Sequence, residues 1–174
     1  MRLGMVVTDL DGTLLNSQHA LSVNDRRALV ELGERGVVRV IATGRSLFSA
    51  KRVLPADLPI DYLVHTSGAG IMRWPEQRSL RALAMRADLA HDLAAFLVSQ
   101  RCDFMLHHAI PNNHCFYAHR ASAHNPDFEH RVQAYAEFAS ELAWPRTLAA
   151  MMCQVVIIEP PGPSRHEELR AALP

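Results

Sequence analysis

Residues 6–15 of the chain read V-V-T-D-L-D-G-T-L-L, an apolar run that ends in two carboxylates. The pattern predicts a strand from Met5 to Thr8. This strand delivers Asp9 to its carboxyl end, where ligands bind in open α/β sheets. A glycine at position 12 lets the chain turn sharply after the strand. We therefore expect Asp9 and Asp11 to converge on one point.

Two carboxylates at one point repel each other unless a cation or a shared proton separates them. Mg²⁺ suits such oxygen ligands and binds through one or two carboxylates together with substrate phosphate. A carboxylate can also attack phosphorus to form an aspartyl phosphate, while a second carboxyl acts as general acid and then as base. A strand followed by a simple Asp-Gly turn is the alternative interpretation. The whole string of residues 9–14, D-L-D-G-T-L, favours phosphoryl transfer.

The next segment predicts a helix and a second strand. Ser22 can cap the helix, with Asp25 three residues later. The mostly apolar residues 37–42 then form a buried strand that ends at Thr43. A strand, a helix and a strand of these lengths make a βαβ unit, which forces the two strands to be parallel. Asp9 and Thr43 are therefore expected at the same edge of the sheet.

The rest of the chain predicts further alternation of helices and strands. In order, we expect a helix from Ser46 to Pro55, a strand at residues 60–64, a hairpin of residues 71–74 and 80–85, a helix at 88–100, strands at 102–107 and 114–119, a helix at 126–139, a strand at 152–158 and a helix, capped by Ser164 with Glu167, that runs to the end of the chain. The character of the sequence changes after the hairpin, which predicts a first domain at residues 1–84 and a second at residues 85–174.

Two strings carry a resemblance to a known family. D-L-D-G-T-L-L at residues 9–15 resembles the first motif of the haloacid dehalogenase (HAD) superfamily of phosphotransferases, and V-I-A-T-G-R at residues 40–45 resembles the second motif in the form typical of the Cof-like (class IIB) sugar-phosphatase branch. The resemblance implies that Asp9 is the nucleophile, that Asp11 is the acid/base and that Thr43 binds phosphate. It also implies Mg²⁺ held by the Asp9 carboxylate and the Asp11 backbone carbonyl.

The candidate phosphate-binding residues follow the ends of three predicted strands. They are Gly12, Thr43, Gly44, Arg45, Ser67 and Gly68. Arg45 is predicted at the amino end of a helix, where phosphate is favoured. From there it can steady the substrate or a neighbouring carboxylate; a solvated arginine is the alternative interpretation. Ser67 occupies a position at which relatives usually carry asparagine, and a serine hydroxyl has less reach.

The resemblance implies a HAD-like Rossmannoid α/β fold, with an incomplete core around a parallel sheet and a partial α/β cap inserted after the third strand. The superfamily's third motif is a lysine and its fourth is an acidic run that completes the Mg²⁺ site. Neither has a counterpart here, since the only lysine, Lys51, lies just after the second motif. We expect a fragment of a longer enzyme or the product of a shortened gene, with a degenerate relative as the alternative. The strand that carries Asp9 then keeps an open edge, which predicts self-association into a homo-oligomer.

The functional expectation is an Mg²⁺-dependent phosphatase that acts on a small phosphorylated metabolite such as a sugar phosphate. Phosphomutase activity is a close variant. The alternative from another class is a non-catalytic module that binds a phosphate ligand or a protein. A D-x-D glycosyltransferase would leave Thr43-Gly44-Arg45 unexplained.

Bulk composition excludes some classes of partner. Lys plus Arg and Asp plus Glu both number 18 in 174 residues, so the formal net charge of zero predicts no general attraction to nucleic acid or to membranes. Three cysteines without metal-like spacing, no signal-peptide pattern and no long apolar span predict a cytoplasmic protein. The histidines from His107 to His130 lack tight ligand spacing, so we interpret them as polar residues that line a hairpin and a surface rather than as a metal site.

Overall fold

The structure is a computed structural model, and it describes residues 4–145, 148 and 150–173. The chain divides into two compact units, Met1–Leu83 and Ala84–Pro174. The α/β class that the sequence predicts is confirmed.

The first unit is a five-stranded sheet with two helices. Its strands are β1 (Met5–Asp9), β2 (Val38–Ala42), β3 (Tyr62–His65), β4 (Gly70–Arg73) and β5 (Arg78–Ala82), and its helices are α1 (Val23–Glu34) and α2 (Leu47–Lys51). The strands lie in the order β1-β2-β3-β4-β5. The first three are parallel, and the β4–β5 hairpin continues the same sheet in antiparallel fashion. The sheet is therefore mixed, and its parallel part is the part that carries the predicted motifs.

Both helices of this unit begin at a serine cap. Ser22 accepts a hydrogen bond from the backbone N–H of Asp25 at 3.0 Å, as the capping pattern predicts. Ser46 likewise accepts from the N–H of Ser49 at 3.2 Å. The second helix is shorter than predicted, since it ends at Lys51. A proline disfavours helical angles at the residue before it, and the chain leaves the helix ahead of Pro55.

The core of the first unit joins the sheet to the loop that follows β1. Its fully buried side chains include Leu10, Leu15, Ile41, Ile60, Leu63 and Trp74. Burial of such side chains stabilises a fold by roughly 1.5–3 kcal/mol each. Leu10 and Leu15 flank the turn after β1, so the turn is anchored from below while its polar residues face outward.

One side of β1 is open. Among the described residues, only β2 pairs with β1, in the register Asp9 to Ala42. Met5 and Val7 point away from the core and are 53% and 58% exposed. An exposed apolar edge without proline or lysine is the kind of edge to which another strand can add.

The second unit is a four-stranded sheet with helices on both faces. Its elements are α3 (Ala87–Ser99), β6 (Phe104–His108), β7 (Phe116–His119), α4 (Pro126–Ala134), β8 (Ala139–Glu141), β9 (Met152–Ile157) and α5 (His166–Ala172), and the strand order is β8-β7-β6-β9. Two buried apolar layers hold it together: Leu97, Phe104, Leu106 and Leu169 on one face, and Met105, Phe116, Phe128 and Val132 on the other.

Two predictions for this unit are wrong in detail. The helix predicted at residues 126–139 ends at Ala134, and the chain returns to the sheet as the short strand β8. The last helix begins at His166, after Arg165 rather than directly after Ser164; the Ser164 hydroxyl donates to Glu159 at 2.8 Å and accepts from the backbone N–H of His166 at 3.2 Å. The end of that predicted helix, Pro174, lies outside the described residues.

The buried Asp103 carboxylate connects loops of the second unit through hydrogen bonds. Asp103 accepts hydrogen bonds from the backbone N–H groups of Ala121 at 2.6 Å and Ser122 at 2.9 Å, and from the side-chain amide of Asn125 at 2.7 Å. The same amide donates to the carbonyl of Ile158 at 2.8 Å. Asp103 thus ties the start of β6 to the loop after β7 and to the first turn of α4.

Candidate active site

The two carboxylates that the sequence singles out lie at the carboxyl end of β1. Asp9 is the last residue of the strand, and Asp11 follows in a turn closed by a 2.8 Å hydrogen bond from the Leu15 N–H to the Leu10 carbonyl. Both carboxylates are exposed, whereas Leu10 and Leu15 are buried beneath them. Gly12 has φ +72°, the left-handed conformation that glycine adopts without penalty.

Arg45 binds the Asp11 carboxylate through two hydrogen bonds. Its Nε donates to one oxygen at 2.8 Å and its Nη2 donates to the other at 2.7 Å. Its Nη1 donates to the Ser49 hydroxyl at 3.2 Å, which orients the guanidinium from the side of α2. Of the two roles open to Arg45 from the sequence, contact with a neighbouring carboxylate is the one observed.

The Arg45 hydrogen bonds lower the pKa of Asp11 below its ordinary value; partial burial opposes this shift, and the positive charges of Arg45 and His19 add to it. Asp11 is therefore held in its ionised form at neutral pH. In that form it can accept a proton as a general base, and it must be released from Arg45 before it can donate one.

Thr43 lies directly after β2, at the edge of the sheet where β1 ends. Its side chain is buried, and its Oγ1 accepts a hydrogen bond from the backbone N–H of Arg45 at 3.1 Å. A hydroxyl can donate its own hydrogen while it accepts such a bond. The turn through Gly44 therefore begins at a buried hydroxyl and carries the Arg45 guanidinium to Asp11.

The turn after β3 is strained. Thr66, Ser67 and Gly68 have φ values of +53°, +50° and +96° in succession. A left-handed conformation is disfavoured for ordinary residues and especially for a β-branched one, at a cost of order 1–3 kcal/mol each. Such strain persists only where the surroundings enforce it, and it clusters at functional sites.

Backbone hydrogen bonds hold this strained turn against the second motif. The Thr66 N–H donates to the Arg45 carbonyl at 2.8 Å, and the Ser67 N–H donates to the Thr43 carbonyl at 3.2 Å. A Cβ built on Gly44 would lie 3.5 Å from the Ser67 hydroxyl. Ser67 and Gly68 therefore sit beside Thr43 and Gly44, so the three turns that the sequence predicts to bind phosphate meet along one edge of the sheet.

Two contacts at this site were not foreseen from the sequence. His19, in the loop between β1 and α1, lies with its Nδ1 3.7 Å from Asp11 and 3.4 Å from the Arg45 Nη2. The side-chain oxygen of Asn16 accepts the backbone N–H groups of Gln18 at 2.9 Å and Ala20 at 3.1 Å, which shapes the loop tip. His19 has φ +55°, and this positive φ at a non-glycine residue leaves no signature in the sequence.

The donor chemistry at this edge suits part of a magnesium site. Asp9 offers an exposed carboxylate, and oxygen donors of this kind are what Mg²⁺ prefers. The Asp11 carboxylate is engaged by Arg45, and its backbone carbonyl is the second protein ligand that the resemblance implies. Within the described ranges, no group of three or more His, Cys, Asp or Glu side chains is arranged to hold a metal ion. Water and substrate phosphate commonly supply further oxygen ligands to Mg²⁺.

Lys51, the only lysine of the chain, is the last residue of α2 and is exposed. Burial is the larger cause that lowers the pKa of the His65 imidazole, and the positive charge of Lys51 adds to it.

No helix among the described residues is both long and apolar enough to cross a membrane.

Comparison with known sequences supports the motif assignment. The family of haloacid dehalogenase-like hydrolases matches residues 6–153. Phosphatase YwpJ of Bacillus subtilis is 30% identical over 96 residues, which are 55% of this chain and 33% of that protein. The 5-amino-6-(5-phospho-D-ribitylamino)uracil phosphatase YcsE of the same organism is 33% identical over 67 residues, which are 38% of this chain and 27% of that protein. The matched segments thus span a third of these relatives or less.

A solved structure shows the same fold. The HAD subclass IIB sugar phosphatase BT4131 aligns with 87% of this chain and with 57% of its own, at a TM-score of 0.56 and 16% identity. The predicted relationship to the HAD superfamily, in its Cof-like branch, is confirmed. With most of its length matched from the first strand to β9, this chain belongs to the family of haloacid dehalogenase-like hydrolases.

Proposed function

We propose that this chain carries the nucleophile half of an Mg²⁺-dependent phosphatase that hydrolyses small phosphorylated metabolites, such as sugar phosphates, through an aspartyl phosphate. One observation carries the proposal: an exposed Asp9 ends β1 at the edge where Thr43 and the Arg45–Asp11 pair also lie. In this proposal these residues serve as nucleophile, acid/base and donors to the phosphoryl oxygens within one set of turns.

In the first step, a carboxylate oxygen of Asp9 attacks phosphorus in line with the ester oxygen. The bond from phosphorus to that oxygen breaks, and the leaving oxygen takes the bond's electron pair together with a proton from Asp11. Asp11 must be protonated for this step, so Arg45 has to turn away from it. The phosphoryl oxygens of the incoming substrate are the natural new acceptors for its guanidinium.

In the second step, Asp11 acts as a base. It takes a proton from water while the water oxygen attacks the phosphorus of the aspartyl phosphate, and inorganic phosphate leaves the restored Asp9 carboxylate. The hydrogen bonds from Arg45 favour this ionised form of Asp11. The Thr43 hydroxyl and backbone amides near Gly12 would hold the phosphoryl oxygens in both steps. Mg²⁺, bound by the Asp9 carboxylate and the Asp11 carbonyl, would offset the negative charge between nucleophile and phosphate.

The substrate class is proposed from the relatives. Two that match this chain are named as phosphatases of phosphorylated ribityl or sugar compounds. A phosphomutase differs only in that a sugar hydroxyl replaces water in the second step.

The direct test is hydrolysis of p-nitrophenyl phosphate by the purified chain with and without Mg²⁺. We expect turnover that requires Mg²⁺ and vanishes in Asp9→Asn, a variant that keeps the shape of the side chain but removes the nucleophile. Arg27→Gln, on the outer face of α1, is the matched control and should leave the rate unchanged. Equal rates in the chain and in Asp9→Asn would refute the proposal.

A second candidate function is a non-catalytic phosphate-binding module. The location of Lys51 at the exposed end of α2 favours it, because the resemblance implies a lysine that neutralises the nucleophile and the phosphate, and Lys51 follows the second motif instead. Binding of inorganic phosphate that survives Asp9→Asn, without turnover in the parent chain, would select this function.

A further inference from the structure

The imidazole of His65 is buried behind the candidate phosphate site. His65 ends β3 and is 1% exposed, and its neighbour Thr66 is 2% exposed. The proposed chemistry uses neither side chain. Their Nδ1 and Oγ1 atoms are 3.0 Å apart, a buried hydrogen bond between two residues adjacent in sequence. A histidine at this position therefore meets a specific polar partner rather than filling space alone.

The sheet makes room for this ring at Gly70. Gly70 pairs with His65 across the β3–β4 ladder. A Cβ built on Gly70 would lie 2.1 Å from Cε1, 2.3 Å from Nε2 and 2.7 Å from Nδ1 of His65, distances that real Cβ atoms do not adopt. The imidazole thus packs over a backbone that lacks a side chain, and its position is closely fixed.

Thr66 links this fixed ring to the strained turn. It is the first of the three successive residues with positive φ, and its N–H donates to the Arg45 carbonyl. A β-branched residue does not hold such a conformation unaided. The hydrogen bond between its hydroxyl and the imidazole restrains the side chain, while the bond from its N–H restrains the backbone.

We propose that His65 is a positioning residue of the phosphate site, which acts through the Thr66 hydroxyl to hold the turn of residues 66–68 against Thr43 and Arg45. The proposal rests on the proposed phosphate site and extends it by a residue that does not touch the ligand. Loss of the hydrogen bond lets the turn relax toward ordinary backbone angles, which moves the Ser67 N–H away from the Thr43 carbonyl and loosens the phosphate-binding turns.

The test measures the affinity for inorganic phosphate by ³¹P NMR titration of the full chain in the presence of Mg²⁺. Removal of one positioning hydrogen bond in His65→Phe or in Thr66→Val should weaken phosphate binding by about fivefold. The double variant should bind as weakly as either single variant, because both changes remove the same interaction. His65→Asn, which keeps a polar atom near the place of Nδ1, should bind within about twofold of the parent chain.

Two controls separate positioning from stability. Asp103→Asn disturbs a buried hydrogen-bond network in the other unit, so it should lower the melting temperature and leave phosphate affinity unchanged. Hydrogen exchange at the Ser67 amide should accelerate in His65→Phe and not in Asp103→Asn. If His65→Phe and Thr66→Val lower the melting temperature but bind phosphate as the parent chain does, the proposal is overturned.

The results also distinguish failure of the role proposed for His65 from failure of the proposed phosphate site. A parent chain that binds no phosphate, or a Thr43→Val variant that binds it undiminished, overturns the phosphate site and the role of His65 with it. Weaker binding in Thr43→Val together with normal binding in both His65→Phe and Thr66→Val overturns only the role of His65.

Discussion

Arg45 holds both oxygens of the Asp11 carboxylate, with its Nε 2.8 Å from one and its Nη2 2.7 Å from the other. The two residues are separated by two elements of the chain, α1 and β2, and meet at the carboxyl edge of the sheet. The pair favours the ionised form of Asp11 in the absence of substrate. The acid step of the proposed mechanism therefore requires that substrate phosphate take over the guanidinium.

Replacement of Arg45 by glutamine should raise the pKa of Asp11 toward its ordinary value, because the two charge-assisted hydrogen bonds are lost. The stability that the pair contributes is present above the ordinary pKa of Asp11 and is lost as the pH falls through the lowered one. This contribution to stability is at most about 1 kcal/mol for a pair this exposed.

The measurement is a ¹³C NMR titration of the side-chain carboxyl groups. Asp61, paired with Arg39 in the same unit, is the internal control and should keep its low pKa. An Asp11 carboxyl that titrates alike in both proteins would contradict this interpretation.

The buried Asp103 should govern the acid stability of the second unit. Burial alone would raise its pKa, but the N–H groups of Ser122 and Ala121 and the Asn125 amide hold the pKa below the ordinary value of 3.8. Its contribution to stability is therefore complete above that value and is lost as the pH falls through the lowered pKa. Asp103→Asn should reduce the free energy of unfolding at neutral pH by roughly 1–3 kcal/mol and should remove this part of the acid dependence.

The measurement for Asp103 is urea unfolding followed by Trp144 fluorescence in a Trp74→Phe background. Trp144 lies in the second unit, and the chain has two tryptophans in all. Asp92→Asn, an exposed change on α3 of the same unit, is the control and should alter stability by less than about 0.5 kcal/mol. Equal losses in the two variants would mean that the Asp103 network contributes no special stability.

The open edge of β1 predicts self-association of the chain. Met5 and Val7 are exposed there, and within the described part of the chain nothing pairs with that side of the strand. Val7→Lys should shift sedimentation toward the monomer, since a charge on an edge strand opposes strand addition. Val30→Lys, at a half-exposed valine on α1, is the control and should sediment like the parent chain. A parent chain that stays monomeric at every concentration would show that the edge does not drive association.

The sequence predicts the parts of this structure that follow from periodicity and caps. The apolar runs before Asp9 and Thr43 become parallel strands, and the serine cap at Ser22 starts α1 as expected. The functional roles of Asp9, Asp11 and the phosphate-binding candidates remain predictions, although the turns that carry them meet at one edge of the sheet.

Features that depend on side-chain direction or on strain leave no such pattern. The partner of Arg45 could not be chosen from the sequence, since a solvated arginine and a paired one look alike there. Thr66 and Ser67 have positive φ although neither is a glycine, so only Gly68 marks this turn in the sequence. The contact of His65 with Gly70 joins residues on two strands whose register the sequence does not state. The short strand β8 is three residues long, too short for an alternating pattern to stand out.

The most direct test of the central claim is detection of the phosphoryl group on Asp9. The chain is incubated with acetyl phosphate and Mg²⁺, quenched in acid and digested, and the peptides are sequenced by mass spectrometry. We predict one added phosphoryl group on the peptide that contains Asp9, lost on treatment with hydroxylamine and absent from Asp9→Asn. No adduct in a folded sample, or an adduct on another residue that persists in Asp9→Asn, would contradict the assignment of Asp9 as the nucleophile.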